Sequence, residues 1–266
     1  MDLVVRQLMS GKEATVYVVQ CGDEIRCAKV YKEAHKRSFR QAVAYQEGRN
    51  VKNSRQARAM EKGSRYGRKV QEEVWQNAEV DALFRLGAAG VRVPRAYGCY
   101  EGVLLMELVT DAEGQVAPRL NDVQFTEELA LDYHAKLLQQ IVLMLCAGVI
   151  HGDLSEYNVL VDHAGPVIID LPQAVDAAGN TSAAAMLERD VDNLTTFFSS
   201  FAPQLASTQY GKEIWALYQA GLLQPDTLLT GIVEEDERPA DVGAVMREIE
   251  LARKEEEARL SHLQQQ

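Results

Sequence analysis

The side chains best suited to chemistry lie in one stretch of the chain, VIHGDLSEYNVLVDHAGPVIIDLPQAVD, at residues 149–176. Asp153 is followed by Asn158 five residues later, and Asp170 ends the apolar run PVIID twelve residues after that. One carboxylate can orient an attacking hydroxyl and accept its proton, while a second carboxylate and an amide oxygen hold Mg²⁺ on phosphates. The residue types and their order therefore predict a phosphoryl-transfer site.

Two charged residues nearer the N-terminus are candidates for the same site. Lys29 lies in the middle of the apolar segment CAKVY, and an inward-facing ammonium there needs an anionic partner because burying it alone is costly. Glu79, in the apolar half of a predicted helix, is a candidate for that partner. The alternation of apolar and polar residues does not decide whether the Lys29 side chain faces inward or outward. Glu79 can also be an ordinary solvent-exposed helix residue, as is expected for its acidic neighbours Glu72, Glu73 and Asp81.

The elements that would position these residues follow from hydrophobic periodicity. The segments LVVRQLM, TVYVVQC and IRCAKVYK predict an antiparallel meander, in which the turn SGKEA can cradle phosphates or be an ordinary hairpin turn. Residues 70–90 predict an amphipathic helix that ends at a glycine, and residues 91–111 predict two more strands. From Thr126 the pattern is mainly helical, and the first of these helices stops at Gly148.

Composition limits the classes of protein that remain. The net charge of −11 and the pI near 5.0 argue against nucleic-acid binding through the whole surface, yet residues 36–69 carry eleven Lys and Arg against two Glu. The four cysteines form no C-x-x-C pair and are expected to be free thiols, although Cys21 and Cys27 lie in one predicted hairpin. No signal peptide or apolar run of membrane-spanning length is found, so we expect a soluble cytoplasmic protein without a membrane partner.

The chain resembles proteins of the protein-kinase-like fold, and among them the RIO family of atypical serine/threonine kinases, especially its bacterial members. The resemblance rests on SGKEATVY, CAKVYK, HGDLSEYNVLV and IIDLPQAVD, and it extends from about residue 8 to about residue 201. It implies an α+β, two-lobed fold. Residues 1–109 would form an N-lobe of antiparallel sheet plus helix with the basic insert 36–69, and residues 110–235 a smaller-than-usual, mainly helical C-lobe. The resemblance does not explain the last fifty or so residues, where closely spaced Glu, Arg and Lys predict a charged C-terminal helix over residues 236–266.

The same resemblance implies roles for individual residues. Asp153 is expected to be the catalytic residue, Asn158 and Asp170 to hold Mg²⁺ or Mn²⁺, and Lys29 to contact the α- and β-phosphates of ATP while pairing with Glu79. Further nucleotide contacts are expected from the phosphate loop and from a hinge with Met106 as gatekeeper: Ser10, Gly11, Lys12, Glu13, Met106, Glu107 and Val109. Asp190 either anchors the catalytic loop or is an ordinary helix N-terminal charge.

Several positions depart from the usual protein-kinase pattern. Gly152 replaces the Arg of H-R-D, and Ser155 stands where many serine kinases carry a phosphate-binding Lys. Leu171 and Pro172 follow Asp170 in place of F-G, and a proline fixes φ and removes a donor, so a large flip of this loop is not expected. No A-P-E follows. We therefore predict an enzyme that phosphorylation of an activation loop does not switch.

Three functions fit these residues. The first is ATP- and Mg²⁺-dependent phosphorylation of serine in proteins, including autophosphorylation, with acceptor candidates Ser38, Ser54 and Ser64 in the basic insert. The second is small-molecule phosphorylation, because HGDLxxxN also resembles aminoglycoside and choline kinases. The third is an ATPase that acts as a ribosome-assembly-type binding factor, with the insert on rRNA phosphates and Asp170 as phosphoryl acceptor. An inactive pseudokinase is disfavoured, because every residue that the chemistry requires is present.

Overall fold

The computed structural model describes residues 1–11, 14–32 and 78–233. The predictions for Lys12 and Glu13, for the basic insert 36–69 with its candidate serines, and for the charged helix 236–266 lie outside these residues. Met1–Ile232 form one structural unit. Its described part contains both an N-terminal sheet and a mainly helical C-terminal part, in agreement with the predicted α+β class.

The N-terminal part is a five-stranded antiparallel sheet in the order β1-β2-β3-β5-β4, accompanied by helix α1, described over residues 78–88. Glu101 and Gly102 both have positive φ, +49° and +80°, which is the backbone of the tight turn that joins β4 to β5. The five strands run as follows: β1 Leu3–Ser10, β2 Ala14–Cys21, β3 Glu24–Tyr31, β4 Ala96–Tyr100 and β5 Val103–Glu107.

The C-terminal part is built on three helices: α2 Glu127–Cys146, α3 Ala183–Ser199 and α4 Tyr210–Gln219. Thr126 caps α2, because its side chain accepts from the Leu129 N–H at 3.2 Å, as the sequence predicted. Two short antiparallel strand pairs lie between α2 and α3. Strands β7 Val159–Asp162 and β8 Gly165–Ile168 form a hairpin, and the flanking strands β6 Val149–Ile150 and β9 Val175–Asp176 pair with each other.

One apolar core joins the two parts. Leu86 of α1 and Leu104 of β5 are fully buried and belong to the same cluster as Phe198 of α3. Leu154 and Leu171, which directly follow Asp153 and Asp170 in the chain, are also fully buried in this cluster. These buried leucines anchor both loops in the core. The backbone from which the Asp153 and Asp170 side chains extend is therefore held in place.

All four cysteines are free thiols, as predicted. The strand register explains why, since Cys21 lies opposite Glu24 and Cys27 lies opposite Val18 rather than opposite each other. Among the described residues, no helix has both the length and the apolar character to cross a bilayer.

Candidate active site

The predicted site residues meet in a cavity of about 900 Å³ between the sheet and the helical part. Ser10 is not among the residues that line this cavity, although the adjacent Gly11 is. The other described site residues all line it: Lys29, Glu79, Met106, Glu107, Val109, Asp153, Asn158 and Asp170. The fold thus brings together residues that residue order and the family resemblance had singled out.

Lys29 faces inward and joins two carboxylates. Its Nζ lies 2.7 Å from Glu79 Oε1 and 2.6 Å from Asp170 Oδ1. Lys29 and Glu79 are 6% and 2% exposed, so this pair is removed from water. Burial on its own lowers the pKa of Lys29, but the two carboxylates outweigh it and hold the pKa above its ordinary value. The lysine is therefore a fixed cation in the cavity wall.

Tyr31 is a residue that sequence reasoning missed. Its hydroxyl donates a short hydrogen bond to Glu79 Oε2, so both oxygens of Glu79 are used. Burial and the neighbouring Glu79 charge raise the pKa of Tyr31 far above the usual phenol value, so it remains a donor. Tyr31 lies two residues after Lys29, so both side chains are on the same face of β3. This spacing could have identified Tyr31 from the sequence.

Helix α3 holds the loop that carries Asp153. The buried Asp190 carboxylate accepts from the Gly152 N–H at 2.7 Å and from the Leu154 N–H at 3.0 Å. Arg189 donates to the Gly152 carbonyl, and Asn193 Nδ2 donates to the Leu154 carbonyl at 3.0 Å. The loop-anchoring alternative for Asp190 is therefore the one observed. Arg189 and Asn193 were missed, although polar residues at this spacing in an apolar helix were a signal.

A local reason explains why Gly152 stands where the usual protein-kinase pattern has Arg. Its φ is +82°, a backbone conformation that side chains with a Cβ rarely adopt. His151 then bridges the loop to the neighbouring chain: Nε2 donates to the Ile169 carbonyl at 3.0 Å, and Nδ1 accepts from the Asp153 N–H at 3.3 Å. Burial raises the pKa of the Asp153 carboxyl above its usual value. Such a carboxylate is a better proton acceptor than one in water.

The β7–β8 hairpin brings Asn158 beside Asp170. Val159 pairs with Ile168, and the Ile169 N–H donates to the Asn158 carbonyl at 2.9 Å, so the two ligand candidates emerge from neighbouring strand ends. Asn158 Nδ2 donates to the Asp153 carbonyl at 2.8 Å, which leaves its side-chain oxygen as the atom to offer a cation. The Lys29 charge outweighs burial and lowers the pKa of Asp170, which is therefore ionised.

These two oxygen donors fit Mg²⁺. The described residues contain no group of three His, Cys, Asp or Glu side chains that would hold a metal ion on their own. Magnesium in phosphotransferases is usually bound through one or two protein groups together with substrate phosphates. An ionised carboxylate and an amide oxygen in one cavity satisfy that requirement.

The segment after Asp170 is held as a tight turn. Asp170 itself has φ of +67°, and the Ala174 N–H donates to the Leu171 carbonyl at 3.1 Å across Pro172. Strand β9 then pairs with β6, immediately before His151, so the chain returns to the catalytic loop within a few residues. The expectation that this loop does not flip stays a prediction.

The segments predicted to be the hinge and the phosphate turn complete the cavity. Met106 lies opposite Cys27 in the sheet, and the Val109 carbonyl accepts from the Ala117 N–H at 3.0 Å. At the other end, Lys32 Nζ donates to the Gly11 carbonyl at 2.6 Å and to Ser10 Oγ at 3.0 Å. Ser10 is thus engaged in the hairpin rather than facing the cavity.

Comparison with known proteins agrees with this geometry. Residues 15–210 match the RIO domain family. A RIO-type serine/threonine-protein kinase Rio1 from Haloferax volcanii is 34% identical over 197 residues, which are 72% of this chain and 61% of that protein. The chain spans about three fifths of the length of the first curated relatives it matches.

The solved structures show the same fold. The Rio2 kinase from Chaetomium thermophilum is 20% identical with a TM-score of 0.57, over 93% of this chain and 73% of that one. An ADP/Mg²⁺-phosphoaspartate complex of Rio2 from the same organism is 21% identical with a TM-score of 0.53, over 74% of this chain and 56% of that one. The resemblance to bacterial members stays a prediction. The match over residues 15–210 establishes that the chain belongs to the RIO domain family.

Proposed function

We propose that this chain transfers the γ-phosphoryl group of Mg²⁺-bound ATP to serine hydroxyls of proteins, its own chain included. The observation that carries the proposal is the contact of Lys29 with both Glu79 and Asp170 in the cavity that also holds Asp153 and Asn158. This is a positively charged anchor for phosphates beside a base and two metal ligands. Membership of the RIO domain family supports the same activity.

In this proposal Asp153 accepts the proton of the serine hydroxyl. A bond forms between the serine oxygen and the γ-phosphorus, the bond from that phosphorus to the bridging oxygen breaks, and ADP leaves. The raised pKa of Asp153 favours proton acceptance. Lys29 contacts the α- and β-phosphates, and the residues of the hinge from Met106 to Val109 read adenine with their backbone groups.

Asn158 and Asp170 would hold Mg²⁺, or Mn²⁺ in its place. When bound, such an ion neutralises charge on the phosphates and orients them. The Lys29 ammonium keeps Asp170 ionised, so the carboxylate is available as a ligand without a proton to displace.

Replacement of Asp153 tests the catalytic assignment. Asp153→Ala should abolish transfer from γ-labelled ATP, because it removes the proposed acceptor of the hydroxyl proton, while leaving ATP binding measured by calorimetry largely intact. Asp226→Ala, at an exposed loop carboxylate, is the matched control and should transfer normally. Transfer by Asp153→Ala at the wild-type rate would refute the assignment.

The destination of the label decides between protein and small-molecule acceptors. Incubation of the wild-type chain with labelled ATP, candidate proteins, ribosomal particles and small alcohols should label protein serine. Label recovered only on a small alcohol would favour the aminoglycoside- or choline-kinase alternative.

A second candidate is an ATPase in which Asp170 itself accepts the phosphoryl group. It is favoured by the ionised state of Asp170, a nucleophilic carboxylate held 2.6 Å from the Lys29 ammonium, and by the phosphoaspartate in the Rio2 complex. An acyl phosphate is cleaved by hydroxylamine, whereas a serine ester resists it. We expect the label to resist hydroxylamine, and its loss would favour Asp170 over serine as acceptor.

A cytoplasmic location and an RNA-bearing partner are further parts of the proposal. Four free thiols suit a reducing compartment. The basic composition of residues 36–69 suits contact with rRNA phosphates or a ribosomal particle.

A further inference from the structure

Gln173 lies in the turn that follows Asp170, and its backbone is held firmly. Leu171 and Ala174, the ends of this turn, are both buried, and the Ala174 N–H donates to the Leu171 carbonyl at 3.1 Å. Pro172 occupies the second position of the turn, where its fixed φ is favourable. From this turn the Gln173 side chain lines the cavity.

The amide of Gln173 contacts the candidate base. Nε2 donates to Asp153 Oδ2 at 3.3 Å. Among the residues that the structure describes, no other side chain donates a hydrogen bond to this carboxylate. His151 fixes the Asp153 main chain through its N–H but leaves the rotation of the carboxyl group free. The distance is at the long end for a hydrogen bond, as is common at an active site before its substrate binds.

The other end of the amide carries a cost. Because only the nitrogen of a glutamine can donate to a carboxylate, the contact with Asp153 turns Oε1 away. In the described part of the chain, Gln173 Oε1 is the one buried side-chain oxygen or nitrogen without a hydrogen-bond partner. An apolar side chain of the same length would fill this position without an unpaired acceptor. The amide is therefore not explained by the stability of the fold.

We propose that Gln173 is a positioning residue, which holds Asp153 Oδ2 so that Oδ1 faces the hydroxyl of the phosphoryl acceptor. The proposal rests on the function proposed above and deepens it, since it assigns Gln173 to the base rather than to the nucleotide. In this proposal, the unpaired Oε1 lowers the stability of the fold locally, and the amide is retained because it serves catalysis.

Gln173→Met tests this role, because it keeps the length of the side chain and removes both polar atoms. The matched control is Gln204→Met. Gln204 Nε2 also donates to a carboxylate, Glu127 Oε1 at 3.0 Å, but this pair is exposed and is not part of the cavity. Turnover of Mg²⁺-ATP, the KM for ATP and the melting temperature are measured for both variants.

We expect Gln173→Met to lower turnover about tenfold, the effect of losing one hydrogen bond to a charged group, with the KM for ATP unchanged. Its melting temperature should equal or exceed that of the wild type, because an unpaired buried acceptor has been removed. Gln204→Met should match the wild type in turnover. Unchanged turnover in Gln173→Met, or a fall in turnover together with a lower melting temperature, would overturn the proposal.

A spectroscopic measurement separates this proposal from the activity itself. The side-chain amide ¹⁵N–¹H resonances of Gln173, assigned by their absence in Gln173→Met, should shift in Asp153→Ala, while those of Gln204 stay in place. If the wild type turns over no ATP, the proposed function fails and this shift still decides the contact. Gln173 resonances that are insensitive to Asp153→Ala would refute it.

Discussion

Lys29 joins two carboxylates that lie far apart in the chain. Glu79 is 50 residues away and Asp170 is 141 residues away, so the lysine ties the sheet to α1 and to the loop after β8. Replacing one partner of a buried ion pair is more damaging than replacing both, because the remaining charge is left without compensation. The ion pair between Lys29 and Glu79 can therefore be tested by measuring the free energy of unfolding as well as the activity.

Lys29→Met should lower the free energy of unfolding by about 3 kcal/mol, since Glu79 remains buried without its ion pair. Urea unfolding measures this change. The double variant Lys29→Met, Glu79→Leu should regain part of the loss while remaining unable to transfer phosphate. A single variant as stable as the wild type would show that the pair is not buried in solution.

At this scale, the sequence predicts roles that follow from residue type and order. It predicts them for Asp153, Asn158 and Asp170, because the chemistry requires a base and oxygen ligands at a characteristic spacing. The sequence left open which face of β3 carries the Lys29 side chain. In a strand that is buried on both faces, the alternation of apolar and polar residues does not distinguish one face from the other. Gln173 and Tyr31 were missed because their roles depend on contacts with residues distant in sequence.

At the scale of elements, α3 serves the site on one face and the core on another. Asp190 and Asn193 hold the catalytic loop, while Thr195 hydrogen-bonds with the buried His134 of α2 at 3.0 Å. The His134 ring also packs edge-on against Phe198. Any weakening of the α2–α3 contact therefore acts on the helix that positions the loop.

The α2–α3 contact should depend on pH. Burial lowers the pKa of His134 from 6.5 to about 4. Between these two pH values, the His134 ring is unprotonated in the folded chain and binds a proton in the unfolded chain. The contribution of neutral His134 to the free energy of unfolding is therefore fully present above pH 6.5. This contribution is lost as the pH falls from 6.5 toward 4, and the loss is about 3 kcal/mol at most. Urea unfolding across this range checks the loss.

His134→Gln is the control, because it retains a hydrogen bond to Thr195 without titrating in this range. Its free energy of unfolding should fall less than that of the wild type over the same pH interval. Parallel curves for the two proteins would assign the acid sensitivity to other groups.

The longer elements could be predicted because their periodicity is strong. Helix α2, expected between Thr126 and Gly148, occupies Glu127–Cys146, and the five N-terminal strands were all expected. Strands β6 and β9 are two residues long, too short to give a periodic signal, and they form only because the fold brings Ile150 opposite Val175. The pairing that fixes the loops of the site was therefore the least predictable part.

At the scale of the whole molecule, charge is unevenly distributed along the chain. The net charge is −11, yet residues 36–69 are strongly basic. Binding of RNA by such a segment releases counterions, so its affinity falls as salt rises. An acidic remainder would limit nonspecific binding elsewhere on the chain.

Replacement of residues 36–69 by a Gly-Ser linker of equal length should weaken binding to a labelled rRNA fragment and flatten its salt dependence. Each lost phosphate contact should reduce the slope of log affinity against log salt by about 0.7 to 0.9. Fluorescence anisotropy between about 50 and 200 mM salt measures the slope. A slope equal to that of the full chain would exclude the segment from RNA binding.

The tight turn after Asp170 has a consequence for inhibitor design. A compound that requires the Asp170 carboxylate to turn away from the cavity must first displace this turn. Here such a compound would have to break the 2.6 Å contact with Lys29 and withdraw Leu171 from the core. Ligands for this chain should therefore be sought among molecules that fill the cavity lined by Lys29, Asp153 and Asp170 in its present shape.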